Sequence, residues 1–462
     1  MRLREKLAIL CAKSISMLIR GLTRRDGSTI PGYAAGLIDP NILPSMAKKV
    51  RCGIIAVMGT NGKTTTTGIL CHVLRSEGKK VLTNRTGANM LNGVISAFVL
   101  AADRKGELDI DYACIEVDEF ASVQILPLLQ PGCVLLTNIF RDQIDRYGEI
   151  DTICDRIRTA LSEVSEEVLI VNGDDFLSWT LAGKCGRRLV TYGINEKMFD
   201  HSSNPKIRES TFCHFCGEKL EYDFFHYGQL GIYRCPGCGW KRPLPDYTTE
   251  EVRFEKGRYR FRIGGIPIQS QASGPYNVYN TLSAYAGLKA LGAPVHGFRR
   301  AVETFDYGNS REGSFQINGA QVILYLAKNP VGFQQKISMM LKDRKPKDII
   351  IQINDGSQDG KDISWLWDVD FQYFAHAGAA SVTAVGNRCL DMVLRLKYED
   401  ISCETEKNLR TAVEKRTEEG TGNIYIILNY SGLLSANRML RRLQRISDRE
   451  TGSRQKRGEA TP

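Results

Sequence analysis

Long uninterrupted apolar runs are missing from this sequence of 462 residues. The most apolar stretch near the start, 7–22, is broken by Lys13 and Arg20 and lacks a small-residue cleavage site, so it fits neither a membrane span nor a signal peptide. Internal repeats are missing too. Histidine is scarce, with six residues, and none accompanies a nucleophile-like cysteine motif. These absences predict a cytoplasmic chain with no evident cysteine–histidine catalytic pair of its own.

Length and cysteine usage set further limits. At roughly 150 residues per domain, the chain predicts about three domains. It contains 13 cysteines, but a cytoplasmic location argues against a disulfide framework. Most of them stand singly in apolar runs, as Cys71, Cys114 and Cys133 do. We interpret those as small buried hydrophobic side chains.

The net charge of +10 is concentrated at the start of the chain. Residues 1–51 contain ten lysines and arginines against three acidic residues, a net charge of +7. In a helix, Leu7, Leu10, Cys11, Ile15 and Leu18 would form an apolar pattern that leaves the basic side chains mostly elsewhere. Those basic residues are Arg4, Lys6, Lys13 and Arg20. This basic N-terminal segment, 1–50, is either a solvated helix face or a surface that attracts anionic lipid headgroups or a pyrophosphate.

From residue 51 onward, apolar runs of strand length alternate with mixed stretches of helix length. This alternation predicts parallel strands in a βαβ sheet. The runs lie at 54–57, 112–115, 133–136 and 168–171. Near residue 305 a second strand–helix series begins. We therefore expect an α/β fold with a central domain, 51–304, and a C-terminal α/β domain, 305–446.

Two segments depart from that alternation. Residues 201–265 contain cysteines, aromatic residues and short alternating stretches, which we interpret as a small β-rich insertion in the central domain. Residues 447–462 are polar and lack apolar periodicity, so we expect a disordered tail there.

A glycine-rich loop follows the first predicted strand and precedes a predicted helix. Its sequence is Gly59-Thr60-Asn61-Gly62-Lys63-Thr64-Thr65. Backbone N–H groups at a helix N-terminus can bind phosphate oxygens, Lys63 can neutralise the β and γ phosphates of ATP, and Thr64 or Thr65 can hold Mg²⁺. A chance glycine-rich turn is the alternative, but the strand–loop–helix context favours a nucleotide site.

Polar residues also follow three other predicted strands. Glu116 ends one buried run, Asn138 follows the next, and residues 172–175 follow another. Because the carboxyl ends of parallel strands meet at one edge of a sheet, where ligands bind in such folds, these side chains should lie near the loop.

Two Cys-x-x-Cys pairs lie in the predicted insertion. They are Cys213 with Cys216 and Cys235 with Cys238. Their spacing suits a tetrahedral zinc with four thiolate ligands, and four protein ligands leave no open position, so the zinc would be structural. Two disulfides are the alternative, which a cytoplasmic location disfavours.

The shortened loop resembles that of the Mur ligases, because Val57 stands where the usual phosphate loop has its first glycine. The resemblance implies that Glu116 binds magnesium. It further implies that Asn138, Asn277 and Asn280 line the nucleotide base. It also implies that Arg311 reaches the γ-phosphate and stabilises the charge that develops there.

Two departures distinguish this chain from an amino-acid-adding Mur ligase. Where the family commonly has a histidine after the first aspartate of an Asp-His-x-Asp stretch, this chain has Asp142-Gln143-Ile144-Asp145, which puts the second metal position in doubt. No lysine occurs between Arg141 and Gly183. The modified lysine that the family carries in this region therefore cannot form.

The C-terminal half resembles one particular branch of the Mur ligase family. The segment Asp359-Gly360-Lys361-Asp362-Ile363-Ser364-Trp365-Leu366-Trp367-Asp368 is similar to a hallmark of MurT proteins, in which a zinc ribbon and the missing lysine also occur. The likeness covers nearly the whole chain. It implies a Mur ligase-like P-loop domain with an inserted zinc ribbon, together with ATP, Mg²⁺ and a structural Zn²⁺.

The same resemblance implies an activity and partners. MurT proteins amidate the α-carboxylate of D-isoglutamate in the lipid II stem peptide, using ammonia from a GatD-type glutaminase with which they form a heterodimer. The work would be done at the inner face of the cell membrane, and no nucleic-acid partner is expected. An aspartate of the C-terminal domain would orient the partner's catalytic histidine. Asp359 is our first candidate for that aspartate, followed by Asp362 and Asp355.

Two other functions use the same motifs. A folylpolyglutamate-type or muropeptide ligase that adds an amino acid would share the loop, but the lysine gap and the cysteine pairs count against it. A nucleic-acid-binding ATPase would use a zinc ribbon as reader and the basic N-terminus as an arm. Stimulation of ATP turnover by nucleic acid would separate it from both ligases.

Overall fold

The computed structural model describes residues 3–23, 29–84, 88–142, 149–165, 168–183, 185–198, 209–271, 274–307, 312–356, 359–376, 378–419 and 422–458. These residues form two compact units. The first unit runs to Tyr307 without residues 141 and 142, and the second unit holds those two residues and everything after 307.

Ten helices in the described residues belong to the first unit. They are α1 (Leu3–Thr23), α2 (Ile30–Ile38), α3 (Ile42–Ala47), α4 (Lys63–Ser76), α5 (Leu91–Ala101), α6 (Ser122–Leu129), α7 (Ile150–Ser162), α8 (Phe176–Gly183), α9 (Tyr276–Ala290) and α10 (Phe298–Thr304).

The strands of this unit form one large sheet and one hairpin. They are β1 (Gly53–Met58), β2 (Val81–Leu82), β3 (Tyr112–Glu116), β4 (Cys133–Leu136), β5 (Val168–Asn172), β6 (Arg188–Ile194), β7 (Glu221–Tyr227), β8 (Leu230–Arg234), β9 (Tyr247–Glu255), β10 (Arg258–Ile263) and β11 (Ile266–Gln269). The sheet order is β11-β10-β9-β6-β5-β4-β1-β3-β2, and β7 and β8 form a separate two-stranded sheet.

The centre of the large sheet is parallel, as the alternating pattern predicts. Strand β1 pairs in parallel with both β3 and β4, and its side chains from Ile54 to Met58 are buried. Strands covered on both faces must be apolar throughout, which explains the continuous apolar runs. Helices α4 and α9 pack on each other, α4 also packs on β1 and β3, and α9 on β4, β5 and β6.

The predicted insertion, 201–265, is too long at its C-terminal end. Tyr247–Thr249 of β9 pair in parallel with Tyr192–Ile194 of β6, and β10 and β11 continue the same sheet as antiparallel neighbours. The separate module in the described residues is therefore the cysteine-containing stretch around the β7–β8 hairpin. Short alternating strands look alike whether they form their own sheet or extend another, because the pairing partner is remote in sequence.

The basic N-terminal segment belongs to the first unit rather than standing apart. Helix α1 packs on α2 and α5 through Ala8, Ile9 and Ala12, which are buried. Buried Glu5 of α1 accepts hydrogen bonds from Ser45 Oγ at 2.9 Å and Lys49 Nζ at 2.7 Å. This ties α1 to α3 and the residues that follow it.

The second unit is an α/β domain. Its elements are β12 (Glu312–Ile317), β13 (Ala320–Leu326), α11 (Pro330–Met340), β14 (Lys347–Gln352), a 3-10 turn (Ser364–Asp368), α12 (Tyr373–His376), β15 (Ala379–Val385), α13 (Cys389–Lys397), β16 (Glu404–Thr405), α14 (Leu409–Glu419), β17 (Asn423–Leu428), a second 3-10 turn (Tyr430–Gly432) and α15 (Leu433–Gly458). The sheet order is β12-β13-β17-β14-β15-β16, and only the β12–β13 pair is antiparallel.

The prediction of a disordered tail from 447 is wrong for the residues up to Gly458, because α15 extends that far. Its first turns are held by buried Leu433, Ala436 and Leu440. Farther along, Ser447 Oγ accepts the backbone N–H of Asn318 at 2.8 Å. Polar composition therefore misled the prediction, since a helix nucleated by a packed apolar face can continue without one. None of the helices in the described ranges has the length and apolarity that a membrane crossing needs.

Candidate active site

The glycine-rich loop connects β1 to α4, and two of its backbone positions require glycine. Gly59 has φ of 116°, and a Cβ there would lie 2.2 Å from Thr137 Oγ1. Gly62, the residue before α4, has φ of 90°, and a Cβ there would lie 2.3 Å from Asn280 Oδ1. Side chains are disfavoured at positive φ, and these contacts leave no room for one. The loop is thus shaped by the strands and helix around it.

Lys63, the first residue of α4, is buried beside this loop and has a partner, Glu119, that the sequence motifs do not reveal. Its Nζ lies 2.7 Å from Glu119 Oε1 and donates to Gly59 O at 2.6 Å. The same Glu119 oxygen accepts the backbone N–H of Gly59 at 2.9 Å. Burial opposes the charge on Lys63, but the carboxylates of Glu119, Asp118 and Glu116 outweigh burial and raise its pKa. The carboxylate of Glu119 thus holds the two donors that a phosphate oxygen would use.

Thr64 and Glu116, the two predicted magnesium ligands, are brought together by the fold. Thr64 Oγ1 donates to Glu116 Oε2 at 2.8 Å. Glu116 ends β3 beside β1, and its backbone is fixed by Asn84, which accepts from Glu116 N at 2.9 Å and donates to Glu116 O at 2.7 Å. A hydroxyl and a carboxylate oxygen side by side suit a hard divalent cation. Thr65 follows in the first turn of α4.

Asn138 clamps the loop. It accepts the backbone N–H of Asn61 at 2.9 Å and donates to Asn61 O at 3.0 Å. Thr60 is held in the same way, because its Oγ1 donates to Phe140 O at 3.0 Å and accepts Phe140 N at 2.9 Å. The Asn138 amide therefore orders the phosphate loop. Its predicted contact with the nucleotide base stays a prediction.

Asn277 and Asn280 lie at the start of α9. Asn280 Nδ2 donates to Asn277 Oδ1 at 3.1 Å, and the other face of Asn280 lies against Gly62. The fold thus brings Asn280 against the loop, with Asn277 hydrogen-bonded to it, from a helix more than 200 residues away. Arg311 and the segment from Gln143 to Asp145 lie outside the described residues. Asp142 is described and forms an ion pair with Lys328.

The four predicted zinc ligands form one cluster. The Sγ atoms of Cys213, Cys216, Cys235 and Cys238 all lie within 4.8 Å of one another, with 3.6 Å from Cys213 to Cys238 and 3.3 Å from Cys216 to Cys235. All are free thiols. Backbone N–H groups also point at the sulfur atoms, since Phe215 N donates to Cys213 Sγ and Cys238 N donates to Cys235 Sγ, each at 3.5 Å.

Buried polar contacts connect the cysteine hairpin to the carboxyl edge of the sheet. Gln229, in the turn between β7 and β8, donates to Asp175 Oδ1 at 2.8 Å and to Ile139 O at 2.6 Å. Arg242, which follows the last cysteine, lies 2.6 Å from Asp174 Oδ1, and Asp174 also accepts from Tyr279 OH at 2.6 Å. Asp174 and Asp175 are fully buried and hold the hairpin in place.

The three candidate aspartates of the C-terminal domain differ in their surroundings. Asp359 is buried, and its Oδ1 accepts the backbone N–H of Ser431 at 2.9 Å. Asp362 is half-buried and accepts the N–H and the hydroxyl of Ser364, the first residue of the 3-10 turn, at 2.8 and 3.0 Å. Asp355 pairs with Asn387 and with Arg388 at 3.4 Å. All three have local partners, so their roles stay predictions.

Comparison with known proteins bears on the whole chain. Residues 57–233 match the Mur ligase middle domain, and residues 326–433 match the MurT ligase C-terminal domain. A Staphylococcus aureus (strain COL) protein named lipid II isoglutaminyl synthase (glutamine-hydrolyzing) subunit MurT is 31% identical over 433 residues, 93% of this chain and 96% of that protein. The Streptococcus pneumoniae (strain ATCC BAA-255 / R6) protein of the same name is 33% identical over 449 residues, 95% and 98% of the two chains. The chain belongs to the MurT family.

Solved structures agree with the fold of this family. A pseudomurein peptide ligase type C from Methanothermus fervidus superposes with a TM-score of 0.68 at 20% identity and covers 86% of this chain and 80% of that chain. MurF from Acinetobacter baumannii gives 0.62 at 15% identity, with 90% and 81% covered. At these identities the likeness shows the Mur ligase fold alone. The predicted fold class, a Mur ligase-like P-loop domain followed by a C-terminal α/β domain, is confirmed.

Proposed function

We propose that this MurT-family chain is the synthetase subunit of a lipid II isoglutaminyl synthase, an ATP-dependent carbon–nitrogen ligase that converts D-isoglutamate of the stem peptide to D-isoglutamine. The observation that supports this most is a phosphate loop with Lys63, Thr64 and Glu116 assembled in a chain that matches named MurT proteins over nearly its full length.

The first step is phosphorylation of the carboxylate. Its oxygen attacks the γ-phosphorus of ATP, and the bond to the bridging oxygen breaks, which leaves an acyl phosphate and ADP. The loop N–H groups and Lys63 hold the phosphates. Mg²⁺ at Thr64 and Glu116 would neutralise the phosphate charge. Arg311 is the remaining candidate for stabilising the transferred group.

The second step forms the amide. Ammonia attacks the acyl carbon, the carbon–oxygen bond breaks, inorganic phosphate leaves, and the nitrogen loses a proton. No protein nucleophile is needed, and this step also has no use for the modified lysine that the chain lacks.

A GatD-type glutaminase in a heterodimer supplies the ammonia. Large apolar side chains on the surface of the second unit, close to the hallmark segment, support a docking surface there. Trp367, Leu390, Leu394 and Tyr398 are all exposed, and the rings of Trp367 and Tyr398 pack edge to face at 5.1 Å. Asp359, Asp362 and Asp355 lie in or beside that segment, and one of them orients the catalytic histidine of the partner.

Zn²⁺ at the four cysteines has a structural role. The thiols converge within 4.8 Å, which suits a closed tetrahedral site. The β7–β8 hairpin that they flank is bonded through Gln229 to Ile139, the residue after Asn138. Lipid II is a membrane lipid, so the enzyme works in the cytoplasm at the inner face of the membrane.

Mass spectrometry of lipid II tests the function. Lipid II is incubated with this chain, a glutaminase partner, ATP and glutamine, and we expect a mass lower by about one unit, as OH is replaced by NH₂. Lys63→Ala should give no product. If lipid II instead gains the mass of one amino-acid residue, the chain is an amino-acid ligase. If nucleic acid stimulates ATP turnover and lipid II stays unchanged, the ligase proposal is wrong.

A further inference from the structure

Helix α1 has an exposed apolar stripe that the core of the protein does not use. Leu3, Leu7, Leu10, Met17 and Leu18 follow one another at mostly helical spacing and are exposed, with Leu3 at 74%. The predicted apolar pattern of this helix is therefore not its packed side. The packed side is formed by Glu5, Ala8, Ile9, Ala12 and Ser16, which are buried.

The two rows lie on opposite sides of the helix. The buried row begins two positions after the exposed row, which corresponds to about 200° around an α-helix. The stripe continues to Leu22, which is 84% exposed. Helix α2, which packs beside α1, also exposes Ile30, Tyr33 and Leu37 along one side. Of the 21 large hydrophobic side chains exposed in the described residues, nine lie within residues 3–37.

Basic side chains accompany this stripe. Lys6, Lys13 and Arg20 each follow a stripe residue, Leu3, Leu10 or Met17, by three positions, which places them in a parallel row. Lys6 and Arg20 are exposed, whereas Lys13 is half-buried and its Nζ donates to Leu100 O of α5 at 3.4 Å. The lone acidic residue of α1, Glu5, is buried and paired with Lys49. Helix α2 has no charged residue.

We propose that the exposed stripe of α1, with its row of basic residues, is the surface on which this protein lies against a bilayer of anionic phospholipid. An apolar face inserts among the acyl chains near the headgroups, and flanking lysines and arginines bind the phosphates. The basic residues interrupt the apolar run of α1 too often for the helix to span a bilayer, so it lies along the boundary between headgroups and acyl chains. The proposal rests on the proposed function in one respect, because it specifies how the enzyme reaches a lipid-borne substrate.

Charge distinguishes this occupant from a second copy of the chain. Two α1 stripes that faced each other would bring two rows of like charge together, which is unfavourable. An anionic surface neutralises the row instead. A free anion such as inorganic pyrophosphate could satisfy the charges but would leave the leucines in water.

Sedimentation with vesicles tests this surface without lipid II, ATP or partner, so its outcome is independent of the amidation assay. The full chain is mixed with phosphatidylglycerol–phosphatidylcholine vesicles or with phosphatidylcholine vesicles, in low and high salt. We expect binding to the anionic vesicles that falls as salt rises. Leu7→Gln with Leu10→Gln should weaken it at least about tenfold, and Lys6→Glu at least about fivefold.

Matched controls use exposed residues elsewhere in the first unit. Leu244→Gln removes a leucine that is 88% exposed, and Lys256→Glu reverses an exposed lysine between β9 and β10. Both controls should bind vesicles as the unchanged protein does, and all variants should amidate a water-soluble short-chain lipid II normally. Equal binding to both vesicle types, no binding, or α1 variants that bind like the controls would overturn the proposal. If the protein self-associates, does not bind vesicles, and loses self-association in the leucine variants, then a second copy of the chain covers the stripe.

Discussion

Glu119 should compete with the nucleotide for the phosphate loop. Its Oε1 accepts from Gly59 N at 2.9 Å and from Lys63 Nζ at 2.7 Å. A bound phosphate needs the same two donors, so Glu119 must release them when ATP or ADP binds. The change to test is Glu119→Gln, which keeps the size of the side chain and removes its charge.

The size of the expected effect follows from the burial of the Lys63–Glu119 ion pair. Both side chains are 10% exposed, and a hydrogen bond to a charged group contributes about 1.5–3 kcal/mol to stability. The variant loses that contribution in the free state and keeps the bound state unchanged. Its ligand-free form should therefore unfold at a lower temperature, while ADP should bind at least about tenfold more tightly, because each 1.4 kcal/mol is a factor of ten.

Isothermal titration calorimetry with ADP in the presence of EDTA measures the ADP affinity without a contribution from a bound metal ion. Asp118→Asn is the matched control. It removes a neighbouring carboxylate that accepts the N–H of Phe120 at 3.0 Å and helps to raise the pKa of Lys63. Only a small change in ADP affinity is expected. If Glu119→Gln folds but binds ADP no more tightly than the unchanged protein, the competition does not exist. An equal gain in Asp118→Asn would assign the effect to general charge.

Three further predictions concern metal, proton and partner. Cys216→Ser should lose the zinc measured by elemental analysis and lower the thermal midpoint, yet still bind ADP while folded, because a closed site holds no substrate; zinc retained at one per chain would contradict this. Burial lowers the pKa of His226 from 6.5 to about 4, so between these pH values the unfolded state binds a proton that the folded state does not. The free energy of unfolding is therefore unaffected by this group above pH 6.5 and falls by up to about 3 kcal/mol as the pH drops toward 4. Urea midpoints should accordingly depend less on pH in His226→Gln than in the unchanged protein. Asp359→Asn in the two-subunit complex should lose glutamine-dependent amidation and keep ammonia-dependent amidation, whereas equal loss of both would reject that role.

Signals that are contiguous in sequence could be interpreted from sequence alone. The phosphate-loop motif occupies seven consecutive residues, and the structure places 59–62 between β1 and α4 and 63–65 in the first turn of α4. The paired spacing of Cys213, Cys216, Cys235 and Cys238 predicted one cluster, which the structure shows. Glu116 and Asn138 were predicted near the loop because parallel strands share a carboxyl edge, and both contact it.

Only the tertiary structure decided features that depend on remote neighbours. Glu119 stands three residues after Glu116, and nothing local shows that its side chain, rather than that of Asp118, turns toward Lys63. The limit of the insertion depended on β9 finding β6 more than 50 residues earlier. Helix α1 is apolar on two sides, and packing on α2 and α5 chose which side is buried. Local periodicity specifies the type of element, but burial and pairing are set by surfaces that meet only in the folded chain.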